Sequence, residues 1–253
     1  MDVLEKLENS LRAVGANHRQ TFQVDGFDLF IDPDSDDFYL SFAVPTSSTV
    51  WQRSVEAMKD TFIEQGRRAR LEYFHELHPG LKEVLEAEGF RLDMSAPVMA
   101  LESESLSAFE EEQKGNYRQL GHLDGSQLQQ ALRYQSLAYG GDGGEGALNW
   151  YDSMLKGLKS NNLKVAVLEK DGDLVSGASI QIGAGLGELA GVWTHPEKQK
   201  QGFAFELCHE LLKDYFTTGY DLCWLSAAEG AQRLYQKLGF KTVGTQLNFG
   251  LPE

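Results

Sequence analysis

The residues of this chain with the clearest chemical potential lie in "VWTHPEKQKQGFA", from Val192 to Ala204. A strand pattern ends at Thr194, Lys198 and Lys200 follow, and Gly202 stands where an apolar helical stripe begins. A helix that starts there points unpaired backbone N–H groups, and the positive end of its dipole, at the loop. That arrangement suits a phosphate. Gly202 lets an anion approach the backbone closely, and the small Ala204 keeps the first turn open. The same residues also read as a plain helix start with solvated lysines.

The elements needed to position such a loop are present on both sides of it. Before it, "LKVAVLEKDGDLVSGASIQIGAG" reads as two strands joined by a turn at Asp171-Gly172-Asp173, and "GELAGVWT" as a third strand. After it, Ala204, Leu207, Cys208, Leu211, Leu212 and Tyr215 fall at helical spacing and give that helix one core face. "DLCWLS" reads as a buried strand, "EGAQRLYQKLG" as a short helix closed by Gly239, and "KTVGTQLNFGL" as a final strand. Upstream, a strand is expected at Tyr117–Leu120, a helix from Asp124 or Ser126 through "QLQQALRYQSLAY", and a second helix from about Ala147 to Leu158. The second half is therefore a mixed α/β domain.

Composition narrows the function. With 23 Lys and Arg against 38 Asp and Glu, the formal charge is −15, which repels nucleic acid and anionic membranes and suits cationic or neutral small partners. No apolar run is long enough to span a bilayer, and "MDVLEKLENSLRAVG" reads as an acidic amphipathic helix, so a cytoplasmic protein is expected. Cys208 and Cys223 lack the spacing of a metal site or disulfide framework and read as reduced core residues. His75 and His78 have no supporting cluster of ligands, and no metal is assigned. The serines and five glutamates of "LESESLSAFEEEQKGN", Leu101 to Asn116, read as a linker between domains 1–105 and 116–253.

The loop pattern Gln199-x-x-Gly202-x-Ala204 resembles the acyl-coenzyme A loop of the GNAT acyltransferase superfamily. "GAQRLYQKLGF", Gly230 to Phe240, resembles that family's second signature, a Leu-Tyr helix ending in Gly-Phe before the last strand. The resemblance covers roughly Tyr117 to Phe249; one departure is Ala228, at a position often occupied by Asn in the family. It implies acetyl-coenzyme A as co-substrate. The pyrophosphate would lie on the backbone of Gln199, Lys200, Gln201, Gly202, Phe203 and Ala204, and the pantetheine arm beside Val192, Trp193 and Thr194. Tyr235 matches the position that protonates the leaving thiolate, although it also reads as a core tyrosine. Glu188, four residues before Val192, resembles the general base of histone-type members, and equally a glutamate at the rim of a hairpin. His195 lies beside the implied pantetheine path and ends a strand.

A diverged repeat is also legible. "LKEVLEAEGF", Leu81 to Phe90, aligns with Ala231 to Phe240 at an offset of 239 − 89 = 150, and Gly80 then matches Gly230. The same offset sets Gln52 against Gly202, Ser54 against Ala204 and Leu85 against Tyr235, so the first half lacks the residues the chemistry needs. The expected fold is α/β: a tandem GNAT-like architecture with a mixed, mostly antiparallel sheet flanked by helices in each half, the first half degenerate.

"GDGGEG", Gly141 to Gly146, matches a dinucleotide fingerprint in letters only. It follows a helix, and its acids would repel a pyrophosphate. The resemblance implies a loop that joins the first two helices and borders the acceptor site, and the residues read equally as a plain flexible loop. The function these readings favour is transfer of an acetyl group from acetyl-coenzyme A to a primary amine of a small molecule or peptide, with a cationic acceptor mildly favoured by the charge. The alternatives are a non-catalytic acyl-coenzyme A binding regulator and a transferase with a longer acyl or aminoacyl donor. Nucleic acid and membrane are not expected partners, and the oligomeric state stays open.

Overall fold

The computed structural model describes residues 2–49, 52–109 and 112–252. Contacts divide the chain into two compact units, one of Met1–Met99, Ser226–Glu229 and Thr242–Glu253, the other of Ala100–Leu225 and Gly230–Lys241.

The first unit opens with α1 (Val3–Ala16), whose N-terminus carries a reciprocal cap: Asp2 accepts from backbone N–H groups of the first turn and Glu5 accepts from the Asp2 N–H. Its apolar stripe, Leu4, Leu7, Leu11 and Val14, is buried. There follow β1 (Gln20–Val24), β2 (Phe27–Ile31), β3 (Phe42–Pro45), α2 (Gln52–Glu64), β4 (Arg70–Phe74), α3 (Leu81–Ala87) and β5 (Arg91–Glu102). The core gathers Phe27, Leu29, Val55, Phe62, Tyr73 and Leu85 with Leu247 and Phe249 from the far end of the chain.

The second unit contains β6 (Asn116–Leu120), α4 (Gly125–Ala138), α5 (Tyr151–Lys159), β7 (Leu163–Lys170), β8 (Asp173–Gly183), β9 (Leu186–Thr194), α6 (Phe203–Thr217), β10 (Leu222–Ser226) and α7 (Gln232–Leu238). The last strand, β11 (Lys241–Gly250), joins the first unit, where the strand order is β1-β2-β3-β4-β11-β5. In the second unit the order is β10-β9-β8-β7-β6. The partition into units therefore departs from a linear cut near residues 105–116, because β11 pairs antiparallel with β4 from Gln246 opposite Phe74 to Gly250 opposite Arg70.

Strands β6 to β9 are antiparallel neighbours, and the β7–β8 turn places Asp171 and Gly172 at φ 54° and 86°, as a tight hairpin requires. Val165, Val167 and Trp193 pack beneath Leu128 and Ala131 of α4 and Leu158 of α5. On the opposite face Tyr215 of α6 lies against Gly187, where a β-carbon would collide with its ring. Alternation along β9 then turns Glu188 and Ala190 toward the α4 face.

The same succession, two antiparallel strands, a third strand, a helix, a parallel strand and a short helix, occurs at β1–β2–β3–α2–β4–α3 and at β7–β8–β9–α6–β10–α7. The 150-residue offset holds in backbone conformation: Gly80 and Gly230 have φ 85° and 79°, and Gly89 and Gly239 have φ 86° and 106°.

The glutamate-rich segment is strapped to α6 rather than free. Ser107 N–H donates to the Leu238 carbonyl, and its own carbonyl accepts from His209 Nε2 at 3.0 Å. Phe109 packs with its ring tilted against Phe205 and His209, and Glu206, 1% exposed, accepts from the N–H groups of Lys114 and Gly115. Glu110 and Glu111 lie outside the described residues.

Candidate active site

The site begins where two strands part. β10 pairs in parallel with β9 at Cys223–Gly187 and Trp224–Glu188, and among the described residues the pairing stops there. β9 continues to Thr194 against β8 alone, leaving one edge from Leu189 onward open to an extended ligand. Between Gly177 and Ser179 the β8–β9 register shifts. Gly191 takes φ 61° there, so Gly191 and Val192 form a bulge that re-aims main-chain groups out of the ladder.

A 3-10 turn at Pro196–Lys198 leads from β9 to α6. Lys200 and Gly202 both have positive φ, 61° and 89°, and Gly202 supplies no side-chain cap. The first-turn N–H groups of α6 therefore face the loop, while Phe203 anchors the turn, 2% exposed and beneath the Lys170 ammonium. Lys198, Gln199, Lys200 and Gln201 are exposed and Ala204 is half-buried. The Lys114 side chain reaches this turn, its Nζ lying against the position a β-carbon on Gly202 would take. Lys114 belongs to the segment that reads as a linker in the sequence; Glu206 accepts from its backbone N–H and holds it beside this turn.

Tyr235 projects from α7 and is 7% exposed, its ring edge-on to Phe240 at 6.0 Å. Burial first, then neighbouring Cys208 and Tyr139, push its hydroxyl well above the ordinary tyrosine value, so it stays protonated at working pH. Gly239 closes α7 so tightly against the Ser105 carbonyl that no β-carbon fits.

Tyr139, at the C-terminus of α4, had no distinguishing signal in the sequence. Its ring is exposed, yet its hydroxyl is turned inward and donates to the Val192 carbonyl at 3.0 Å. Desolvation of that hydroxyl, with a smaller contribution from Cys208, pushes it up to about 12. Cys208 itself is pushed up to about 12 by burial and is an inert core thiol. Glu188, half-buried on β9, lies two residues before Ala190 on the α4 side of the sheet. His195 ends β9 with its ring edge-on to Tyr134 at 5.0 Å; its Nδ1 has no partner among the described residues.

The other candidates resolve into structure. Asp142 accepts from Gly144 N–H, and Arg133 donates to the Gly143 carbonyl at 2.8 Å and pairs with Glu145 at 2.6 Å, so the "GDGGEG" loop is pinned to α4. His78 bonds Glu8 at 2.7 Å and the Ser47 carbonyl at 2.8 Å inside the first unit. At the α2 N-terminus, the counterpart of the loop, Ser54 donates to Asp25 at 3.3 Å and Arg53 pairs with Asp25 at 3.6 Å. An acid of the chain itself lies at that helix start, and Leu85, opposite Tyr235 in the repeat, is core.

The comparisons with known proteins agree with this geometry. The model of the "Acetyltransferase (GNAT) family" matches residues 132–240. A GCN5-related N-acetyltransferase from Kribbella flavida superposes with TM-score 0.83 at 21% identity, over 100% of this chain and 97% of its own. Another, from Sphaerobacter thermophilus, gives TM-score 0.64 at 16% identity over 99% and 92% of the two chains. A conserved Staphylococcus epidermidis protein of unknown function gives 0.67 at 12% identity over 93% and 94%. No curated protein matches the chain significantly. At these identities the structural likeness shows the fold, and its full-length coverage shows that the first unit belongs to the shared architecture. No helix among the described residues is long and apolar enough to cross a membrane. With the family model on the part that holds the parted strands, the glycine loop and Tyr235, residues 132–240 form an acetyltransferase domain of the GNAT family.

Proposed function

We propose that the protein transfers the acetyl group of acetyl-coenzyme A directly to a primary amine. The observation that carries this reading is the parting of β9 from β10 beside the uncapped N-terminus of α6. The pyrophosphate lies on the N–H groups from Gln199 to Ala204, with Lys114 adding charge, and the pantetheine arm runs along Val192–Thr194 as an added strand. The thioester then reaches the bulge at Gly191 and Val192, whose main-chain groups stabilise the developing oxyanion.

The amine nitrogen attacks the carbonyl carbon, the C–N bond forms, and the C–S bond breaks. Glu188, directly or through water, takes the proton the amine loses, and the departing sulfur receives its hydrogen bond and proton from Tyr235. Retention of Tyr235 favours this reading over a binding-only role. The first unit is a duplicated copy that has lost the glycine loop. Incubation with acetyl-coenzyme A and a panel of primary amines, followed by free-thiol release and product mass, tests the assignment. Coenzyme A binding without turnover of any amine would replace it with a binding function.

A further inference from the structure

A buried acid stands in the first turn of the helix that would receive the pyrophosphate. Glu206 is 1% exposed, and its N–H closes that turn onto the Gly202 carbonyl at 3.2 Å. A carboxylate in this place competes with an anionic ligand for the positive end of α6 and repels it. Its oxygens are engaged instead by the segment that precedes β6. Lys114 N–H donates to Oε1 at 3.0 Å and to Oε2 at 2.9 Å, and Gly115 N–H donates to Oε1 at 3.3 Å.

That segment is fixed from its other side as well. Asn116 opens β6 opposite Glu169 of β7, and a β-carbon on Gly115 would lie 2.8 Å from the Glu169 carbonyl oxygen and 2.8 Å from Leu168 Cγ. A strand register, a passage that admits only glycine and a carboxylate therefore hold the main chain of Lys114 and Gly115 between the end of β7 and α6. From there the Lys114 side chain carries its Nζ to the position a β-carbon on Gly202 would take. A cation there faces the positive end of a helix, which disfavours it unless an anion lies between the two.

We infer, on the transferase reading given above, that Glu206 is a positioning residue for the cofactor. It holds the preceding segment so that the Lys114 ammonium and the first-turn N–H groups of α6 close on one anion, the pyrophosphate of coenzyme A. Glu206 does not touch the coenzyme; it acts through the main chain of Lys114. A carboxylate suits this task because it accepts from both N–H groups through charge-assisted bonds and balances the ammonium before the ligand arrives. The glutamate-rich segment is thereby one wall of the cofactor site.

Electrostatics alone and positioning predict opposite signs, and the test uses that. Removing a negative charge beside an anion site strengthens anion binding if charge is all that matters. If Glu206 positions Lys114, Glu206→Ala should instead weaken coenzyme A about three- to tenfold, the scale of one hydrogen bond. It should also flatten the salt dependence of binding, as losing a cation does. Glu206→Gln, whose oxygen can still accept from both N–H groups, should bind within about twofold of the parent or more tightly. Glu206→Ala with Lys114→Met should lose no more than the larger single loss, because both remove the same contact.

Gly115→Ala displaces the segment without touching α6; it should reproduce the loss, and it replaces Glu206→Ala if that variant does not fold. Calorimetry with coenzyme A reads these affinities, and KM for acetyl-coenzyme A should rise in the same order with kcat unchanged. Unchanged or tighter binding in Glu206→Ala and Gly115→Ala, or losses that multiply in the double variant, would overturn the inference. The expected order of affinities with no acetyl transfer counts against the transferase reading alone. If the parent takes up no coenzyme A, the same order is read with inorganic pyrophosphate, and no binding there overturns this inference too.

Discussion

Lys114 Nζ occupies the space that a side chain on Gly202 would need. The glycine is required twice, once for its φ of 89° and once for the approach of this ammonium to the first turn of α6. Gly202→Val is expected to lower coenzyme A affinity about 10- to 100-fold, the loss of one charge-assisted hydrogen bond at about 1.5–3 kcal/mol. Calorimetry on a variant shown to be folded by circular dichroism checks it. Lys114→Met should weaken binding less and flatten its salt dependence.

Tyr235→Phe removes the proton donor and keeps the ring that packs on Phe240. The single-turnover rate should fall about 10²- to 10⁴-fold while coenzyme A affinity is nearly unchanged. A rate within about twofold of the parent would make Tyr235 structural.

Tyr139 acts through Val192, so it is a positioning residue. Losing one neutral hydrogen bond of about 0.5–1.5 kcal/mol to the bulge predicts that Tyr139→Phe lowers kcat/KM roughly two- to tenfold. The chemical-denaturation midpoint should fall only slightly, since one neutral hydrogen bond is lost and the ring is exposed.

Coenzyme A should bind once per chain. The α2 N-terminus is faced by Asp25 and the α6 N-terminus by Lys114, so the first repels the anion that the second attracts. A titration with two equivalent sites would refute this.

Burial raises the hydroxyls of Tyr73, Tyr215 and Tyr235 above the unfolded value near 10. In each case the folded state holds its proton after the unfolded state has released it. Stability is therefore intact below about pH 10 and declines above it, by up to about 1.4 kcal/mol per pH unit for each group. Urea denaturation at pH 9 and pH 11 measures the decline, and Tyr235→Phe should reduce it by one proton.

The strands, helices and glycine turns of the second half were legible because each has a local cause: alternation in β7 and β8, Asp171-Gly172 between them, a helical stripe after Gly202, and Gly239 at the end of α7. The glycine loop and the helix of Tyr235 were marked by their resemblance to two family signatures. Lys114 and Tyr139 had no such mark, because each reaches the candidate site through a tertiary contact with no sequence period: a clamp by Glu206 and a bond to Val192. The place of β11 was also invisible, since its pattern says only that it is a strand.

That place governs how the first unit can be made. β4 leaves the ribosome about 170 residues ahead of its partner β11, and β11 lies between β4 and β5. Until β11 is made, both strands keep bare edges able to pair with other chains. Completion of the first unit's sheet therefore waits for β11, and its long-range pairing makes it slow. Residues 1–105 expressed alone would lack a central strand, so the first unit cannot be obtained whole by cutting the gene near residue 105.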